Sequence, residues 1–196
     1  QDLLELMGYL GDAEAGRVPQ AIPGQGSHVP IYLLGSSTFS AHLAAQLGLP
    51  YAFASHFAPD YLLEAIRIYR KQYQPSELYP QPYVMVGVNV FAADTDDEAQ
   101  HLFTTLQQIF LNMIRGNLQQ MPAPTKHIDW NPAEKQYVER MLSVSAVGAA
   151  STLSKQLAQI VRETGADEII ATSHIFNHQD RLHSFEIAAP VLQSLR

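Results

Sequence analysis

From Val29 to the C-terminus, short apolar runs alternate with stretches whose hydrophobic residues recur every three or four positions, and this alternation constrains the fold more than any other feature. Val29 to Leu34 is a continuous apolar run, of a length that suits a strand covered on both faces. Phe39, Leu43, Ala44 and Leu47 follow at helical spacing, and Gly48 stands where a helix would stop. Tyr51 to Ala54 predicts a second strand. After Pro59, Leu62, Leu63, Ile66, Ile68 and Tyr69 form an amphipathic stripe with Asp60 as its expected N-cap. Val84 to Phe91, rich in β-branched residues, predicts a third strand. Thr95 and Glu98 have capping-box spacing ahead of a long helix to about Ile114. "STLSKQLAQIVRETG" predicts a helix ended by Gly165, "ADEIIATS" a fourth strand, and Leu182 to Leu195 a closing helix.

Such alternation argues for a parallel sheet joined by right-handed crossovers. An open doubly wound sheet and a closed (β/α)8 barrel both satisfy it, and a barrel typically needs ~250 residues. The 196 residues carry four strand-helix units, half of a barrel. They are read as a single domain, 1–196, with an irregular insertion at about 115–142 that holds Pro122 and Pro124 and a short helix near Ala133 to Met141. Leu3, Leu4, Leu6, Met7 and Leu10 predict a helix ending at Gly11 and Asp12, and Ala13 to His28 has loop chemistry. The chain opens at Gln1 within this helix pattern, which leads to the expectation that preceding residues are missing.

Hydrophobic residues are 46% and charged residues 16% of the chain, an ordinary globular balance. The net charge of −7, with Arg70 and Lys71 the longest basic pair, argues against a nucleic-acid partner, which needs a basic face to displace counterions. Without cysteine there is no disulfide and no thiolate metal site, and a reducing cytoplasm is the expected location. No apolar run approaches the ~20 residues that span a bilayer, so no membrane role is expected.

Gly35, Ser36 and Ser37 lie between a strand and a helix, where unpaired backbone N–H groups and the helix dipole favour an anion. Gly35 would let a phosphate approach the backbone, and the two hydroxyls could donate to it. Serine also caps helices when nothing binds, and the turn is neither a Walker A loop nor a dinucleotide fingerprint. His56, after the second strand, is a candidate for a substrate pocket, although a histidine capping the next turn is the plainer reading. His174, His178, Asp180 and His183 are close enough in sequence to suggest a metal, but the HExxH glutamate is absent and the segment reads more simply as a polar loop. Gly148 to Ser151 could form a second anion site or simply cap a helix. Trp130, with Met121 and Pro122, could belong to a lid or could pack the insertion.

The run "VPIYLLGSSTFSAHLAAQLGLPYAFASHFAP" resembles a characteristic stretch of the bacterial luciferase-like, flavin-dependent monooxygenase family. "FAADTDDEAQ" and the segment from Ser151 to Leu192 extend the likeness over most of the chain. The resemblance implies the C-terminal half of a (β/α)8 TIM barrel, binding reduced FMN at the strand tips, with a deazaflavin as alternative. It places Gly35, Ser36 and Ser37 at the flavin phosphate; Gly35 departs from the acidic residue that luciferase itself carries there. It implies oxygenation of a small organic substrate with dioxygen, leaves open a separate flavin reductase, and leaves the catalytic residues unknown because most ring contacts come from the first half of the barrel. A homodimer, or pairing with that first half, is expected to cover the open sheet. A flavin-binding or interaction protein without catalysis, and an unrelated α/β phosphate-binding protein, are the alternatives.

Overall fold

The computed structural model describes residues 2–12 and 18–195. Two compact units divide at Tyr32. In the first, α1 (Asp2–Leu10) forms as its hydrophobic spacing predicts and has no fully buried residue. The expected connection falls partly on residues 13–17, outside the described residues, and no helix or strand forms in 18–32.

The second unit runs β1 (Leu33–Gly35), α2 (Thr38–Leu47), β2 (Tyr51–Phe53), α3 (Leu62–Gln72), β3 (Val84–Ala92), α4 (Asp96–Ile114), α5 (Pro132–Met141), β4 (Ser145–Gly148), α6 (Ala150–Thr164), β5 (Glu168–Thr172) and α7 (His178–Gln193). All strand pairs are parallel. Met85 and Val86 pair with both β2 and β5, and Asn89 pairs with both β4 and β5, so β2 and β4 follow one another along one edge of β3 while β5 takes the other. The four main strands therefore lie in chain order, β1-β2-β3-β5. A doubly wound sheet reverses its strand order partway, whereas same-handed crossovers in chain order keep the helices on one face, as in a barrel. The architecture is a partial barrel.

Strand alternation then assigns the two faces. Val84, Val86, Val88 and Val90 are fully buried in the helix-side core with Tyr51, Phe53, Leu153, Leu157 and Ala188. Burying a side chain of that kind stabilises by roughly 1.5–3 kcal/mol, so this layer dominates the unit. The opposite face carries Leu34, Ala52, Ala54, Met85, Gly87, Asn89, Ile170 and Thr172, and there Leu34 is 63% and Ile170 39% exposed. Phe91, Val147 and Ile175 belong to a second core that α4 and α5 build with Leu102, Phe103, Leu106 and Phe110.

Several sequence expectations need correction. The first strand is only Leu33–Gly35, not Val29–Leu34, because its one partner offers Tyr51–Phe53 and is preceded by Pro50, which has no N–H to extend the ladder. Tyr61, not Asp60, is the N-cap of α3; its side chain makes no cap hydrogen bond, and the Asp60 carboxylate lies 3.9 Å from Arg140. A fifth strand, β4, lies in "SAVG", which is too short to show alternation. The closing helix starts at His178 rather than Leu182, since Asn177 caps it by accepting from the backbone N–H groups of Gln179 and Asp180. Gly48 ends α2 at φ 60°, where a Cβ would collide with the Gln74 carbonyl.

Candidate active site

Parallel strands bring their C-terminal ends to one rim, and that rim collects Gly35-Ser36-Ser37 after β1, Ser55-His56 after β2, and Ser173-His174 after β5. Ser37 occupies the N-cap position of α2 with extended backbone, yet its side chain makes no capping hydrogen bond. Its carbonyl instead accepts from the Ser40 hydroxyl at 2.9 Å and the Tyr51 phenol at 3.2 Å. The plain capping role is therefore not how this hydroxyl is used. Burial pushes the Tyr51 phenol up, with the Ser40 hydrogen bond opposing, so it stays a neutral donor to the turn.

His56 lies against the face opposite the helices. Its ring meets Phe57 edge-on at 4.8 Å, and a Cβ on Gly87 would collide with its Nδ1. Only a residue without a side chain leaves room for the imidazole at that point of β3. The His56 carbonyl accepts from Asn89 Nδ2 at 2.6 Å, while Asn89 Oδ1 accepts from the Thr172 hydroxyl at 3.2 Å and Nδ2 approaches Ser145 Oγ at 3.3 Å. Asn89, 1% exposed, thus ties the turn after β2 and the tip of β5 to the first residue of β4. Ser55 donates to the Gly87 carbonyl at 2.6 Å and holds the start of the same turn. The sequence analysis missed Asn89, although a lone amide inside "VMVGVNVFA" marks a polar side chain with buried partners.

Three polar atoms of this rim are buried without a hydrogen-bond partner: His56 Nδ1, His174 Nδ1 and Ser173 Oγ. Burial lowers the pKa of both histidines; the charge of His174 adds to the effect at His56, and Arg181 adds to it at His174. Both imidazoles are held toward the neutral form.

His174, His178, Asp180 and His183, weighed above as a metal set against a polar loop, have separate partners. His178 Nδ1 pairs with Arg181 at 2.9 Å. His183 reaches Asp94 at 3.0 Å and Glu186 at 3.5 Å, and the Asp94 hydrogen bond raises its pKa. Asp180 donates its backbone N–H to the Asn177 cap, and of the four residues only His174 is near enough for its charge to bear on His56. The second anion site at Gly148–Ser151 is already filled: the Asp96 carboxylate accepts from the Ala149 N–H at 2.7 Å and the Thr152 hydroxyl at 3.0 Å. Trp130 packs into the core of α4 and α5, so the insertion is anchored there.

A partial parallel barrel with polar groups gathered at the strand tips has the anatomy of a (β/α)8 barrel, a fold whose enzymes carry their chemistry at that rim. Residues 8–168 match the luciferase-like monooxygenase family model, and the chain belongs to that family. It is 45% identical over 197 residues to the luciferase-like monooxygenase of Escherichia coli strain K12, covering all of this chain and 59% of the relative. The crystal structure of apo-MsnO8 superposes with a TM-score of 0.83 at 30% identity, over 97% of this chain and 58% of that one. The oxygenating constituent of 3,6-diketocamphane monooxygenase from Pseudomonas putida, solved in complex with FMN, shares the fold with a TM-score of 0.58 at 17% identity, over 91% of this chain and 52% of that one. The chain thus spans somewhat more than half the length of the proteins it matches.

Proposed function

We propose that this chain supplies the C-terminal half of an FMN-dependent monooxygenase barrel that oxygenates a small organic substrate with reduced FMN and dioxygen. The observation that carries the reading is the start of α2: Ser37 stands at an N-cap whose hydroxyl is not used, on the same rim as three buried polar atoms lacking partners. A phosphate-tailed cofactor fits this set. Its phosphate would meet the amides and hydroxyls of Gly35, Ser36 and Ser37, and its polar ring edge or the substrate would lie toward His56 and His174. Bound reduced flavin supplies the electrons that activate dioxygen. The protein positions the reactants and keeps water from the site, with Asn89 and Gly87 fixing the His56 turn.

The test uses the protein expressed at the full length of its gene. Retention of FMN through gel filtration, compared with a deazaflavin, is expected to favour FMN. S36A and S37A are each expected to weaken retention about tenfold, the loss of one hydrogen bond to a charged oxygen. Oxygen uptake with chemically reduced FMN then separates an enzyme from a flavin-binding protein without catalysis, and dependence on an added reductase shows where the electrons enter. Wild-type protein that retains neither cofactor would overturn the reading.

A further inference from the structure

We infer that Tyr51 is a positioning residue for the cofactor's phosphate: its buried phenol, together with the Ser40 hydroxyl, holds the Ser37 carbonyl inward and so keeps the start of α2 aimed at the anion. The assignment rests on the proposed reading of the Gly35-Ser36-Ser37 turn as the phosphate site, and it deepens that reading by naming what sets the turn's geometry.

A peptide unit is planar and trans, so its C=O and N–H point in opposite directions. Fixing the Ser37 carbonyl therefore fixes the Thr38 N–H, the first amide of α2 and one of the donors that a helix start leaves without an internal partner. At α3, α4, α5, α6 and α7 the N-cap carbonyl accepts the backbone N–H four residues further on. At α2 two side-chain hydroxyls reach it, Ser40 Oγ at 2.9 Å and the Tyr51 phenol at 3.2 Å, and these two oxygens lie 3.2 Å apart. Two protons serve three oxygens, and a carbonyl with two lone pairs accepts both. The Ser37 side chain is exposed and makes no cap hydrogen bond.

Packing keeps the phenol in place. Tyr51 is 0% exposed, and its ring meets Phe53 edge-on at 6.2 Å and Tyr69 at 5.3 Å. Tyr69 is pinned in turn, donating to the Leu49 carbonyl at 2.9 Å and accepting from the Tyr83 N–H at 3.1 Å. The phenol thus carries the rigidity of the helix-side core to the turn. Gly35 belongs to the same arrangement: a Cβ there would collide with the Ser40 side chain, so glycine is what lets that hydroxyl sit under the turn. An anion at a helix start gains from donors whose direction is set before it arrives, because binding then carries less of the ordering cost.

The test compares FMN with riboflavin, which lacks the phosphate, on protein at the full length of its gene, by quenching of flavin fluorescence. Wild-type protein is expected to bind FMN the more tightly. Y51F, which removes one hydroxyl and keeps the ring, is expected to weaken FMN binding about fivefold, the worth of one hydrogen bond, and to leave riboflavin binding unchanged. S40A is expected to do the same, and the double variant to weaken FMN further with riboflavin still unaffected. A merely structural role would move both flavins together, and thermal unfolding of the same samples without flavin shows which variants are folded. FMN and riboflavin weakened in step in folded variants would overturn the inference, as would FMN affinity unmoved by both substitutions. S37A separates the inference from the reading beneath it. An FMN preference lost in S37A but intact in Y51F and S40A removes the positioning role alone; wild-type protein with no preference for FMN removes the phosphate reading and this inference with it.

Discussion

Asn89 is where a single side chain organises the most structure. Replacing it with alanine leaves the His56 carbonyl and the Thr172 hydroxyl without their partner inside the protein. N89A is therefore expected to lower stability by about 1–3 kcal/mol, read as a lower urea midpoint. The two half-buried histidines, His56 and His174, add a pH dependence of definite sign. Their folded pKa values lie below the unfolded value of about 6.5, so the folded state is favoured by their neutrality above that pH and loses this advantage as pH falls through the folded values. His183 acts oppositely: its raised pKa favours folding below about pH 6.5, and the benefit disappears as pH rises through its folded value. Substituting both His56 and His174 with glutamine should flatten the loss of stability on acidification below about pH 6.5, measured by urea unfolding across that range. Among the residues, the Gly35-Ser36-Ser37 turn and His56 were visible in the sequence because each follows an apolar run. Asn89 and the approach of His174 to His56 were not, since they depend on β3 bringing distant strands side by side.

At the scale of elements, Asp96 does two jobs from one place. It stands in the first turn of α4, where an acidic residue suits the helix dipole, and its carboxylate also caps α6 through the Ala149 N–H and the Thr152 hydroxyl. D96A should cost about 0.5–2 kcal/mol, as loss of an N-cap does, and D96N less, because the amide oxygen still accepts one of the two bonds; thermal unfolding followed by circular dichroism would measure both. This cap also explains why Gly148–Ser151 carries anion-site chemistry in sequence but no room for a ligand: the anion comes from another helix. Long helices were legible to within a residue or two, as α4 and α6 show, because periodicity and caps accumulate over many positions. Short strands were legible unevenly: β2 forms within Tyr51 to Ala54, as its apolar run predicts. β1 lost half its expected length to the limits of its partner, and β4 escaped notice because four residues carry too little pattern. The "NPAE" box that starts α5 went unread in the sequence: Asn131 and Glu134 each accept from the other's backbone N–H, and the box moves the helix start from about Ala133 to Pro132.

On the scale of the whole molecule, the unit from Leu33 onward is finished on one side only. Helices seal one face of the sheet, while Leu34 and Ile170 look outward from the other, and among the described residues β1 and β5 each have a single strand neighbour. Unpaired edges and exposed apolar side chains on one sheet invite association, and a closed barrel removes both. The relatives, of which this chain spans somewhat more than half, provide the length for such closure. These 196 residues produced alone should therefore bind a hydrophobic dye such as ANS and self-associate, whereas protein at the full length of its gene should do neither at that face. Adding charge to the open face, as in the pair L34K and I170E, should suppress dye binding and association in the short form. The same pair should destabilise the full-length protein by several kcal/mol, the cost of leaving buried charge poorly paired. Analytical ultracentrifugation across a concentration series decides the matter: a short form that stays monomeric, leaves ANS dark and unfolds in one cooperative step would mean that this face is already satisfied, and that the rim at its edge is built without a second half.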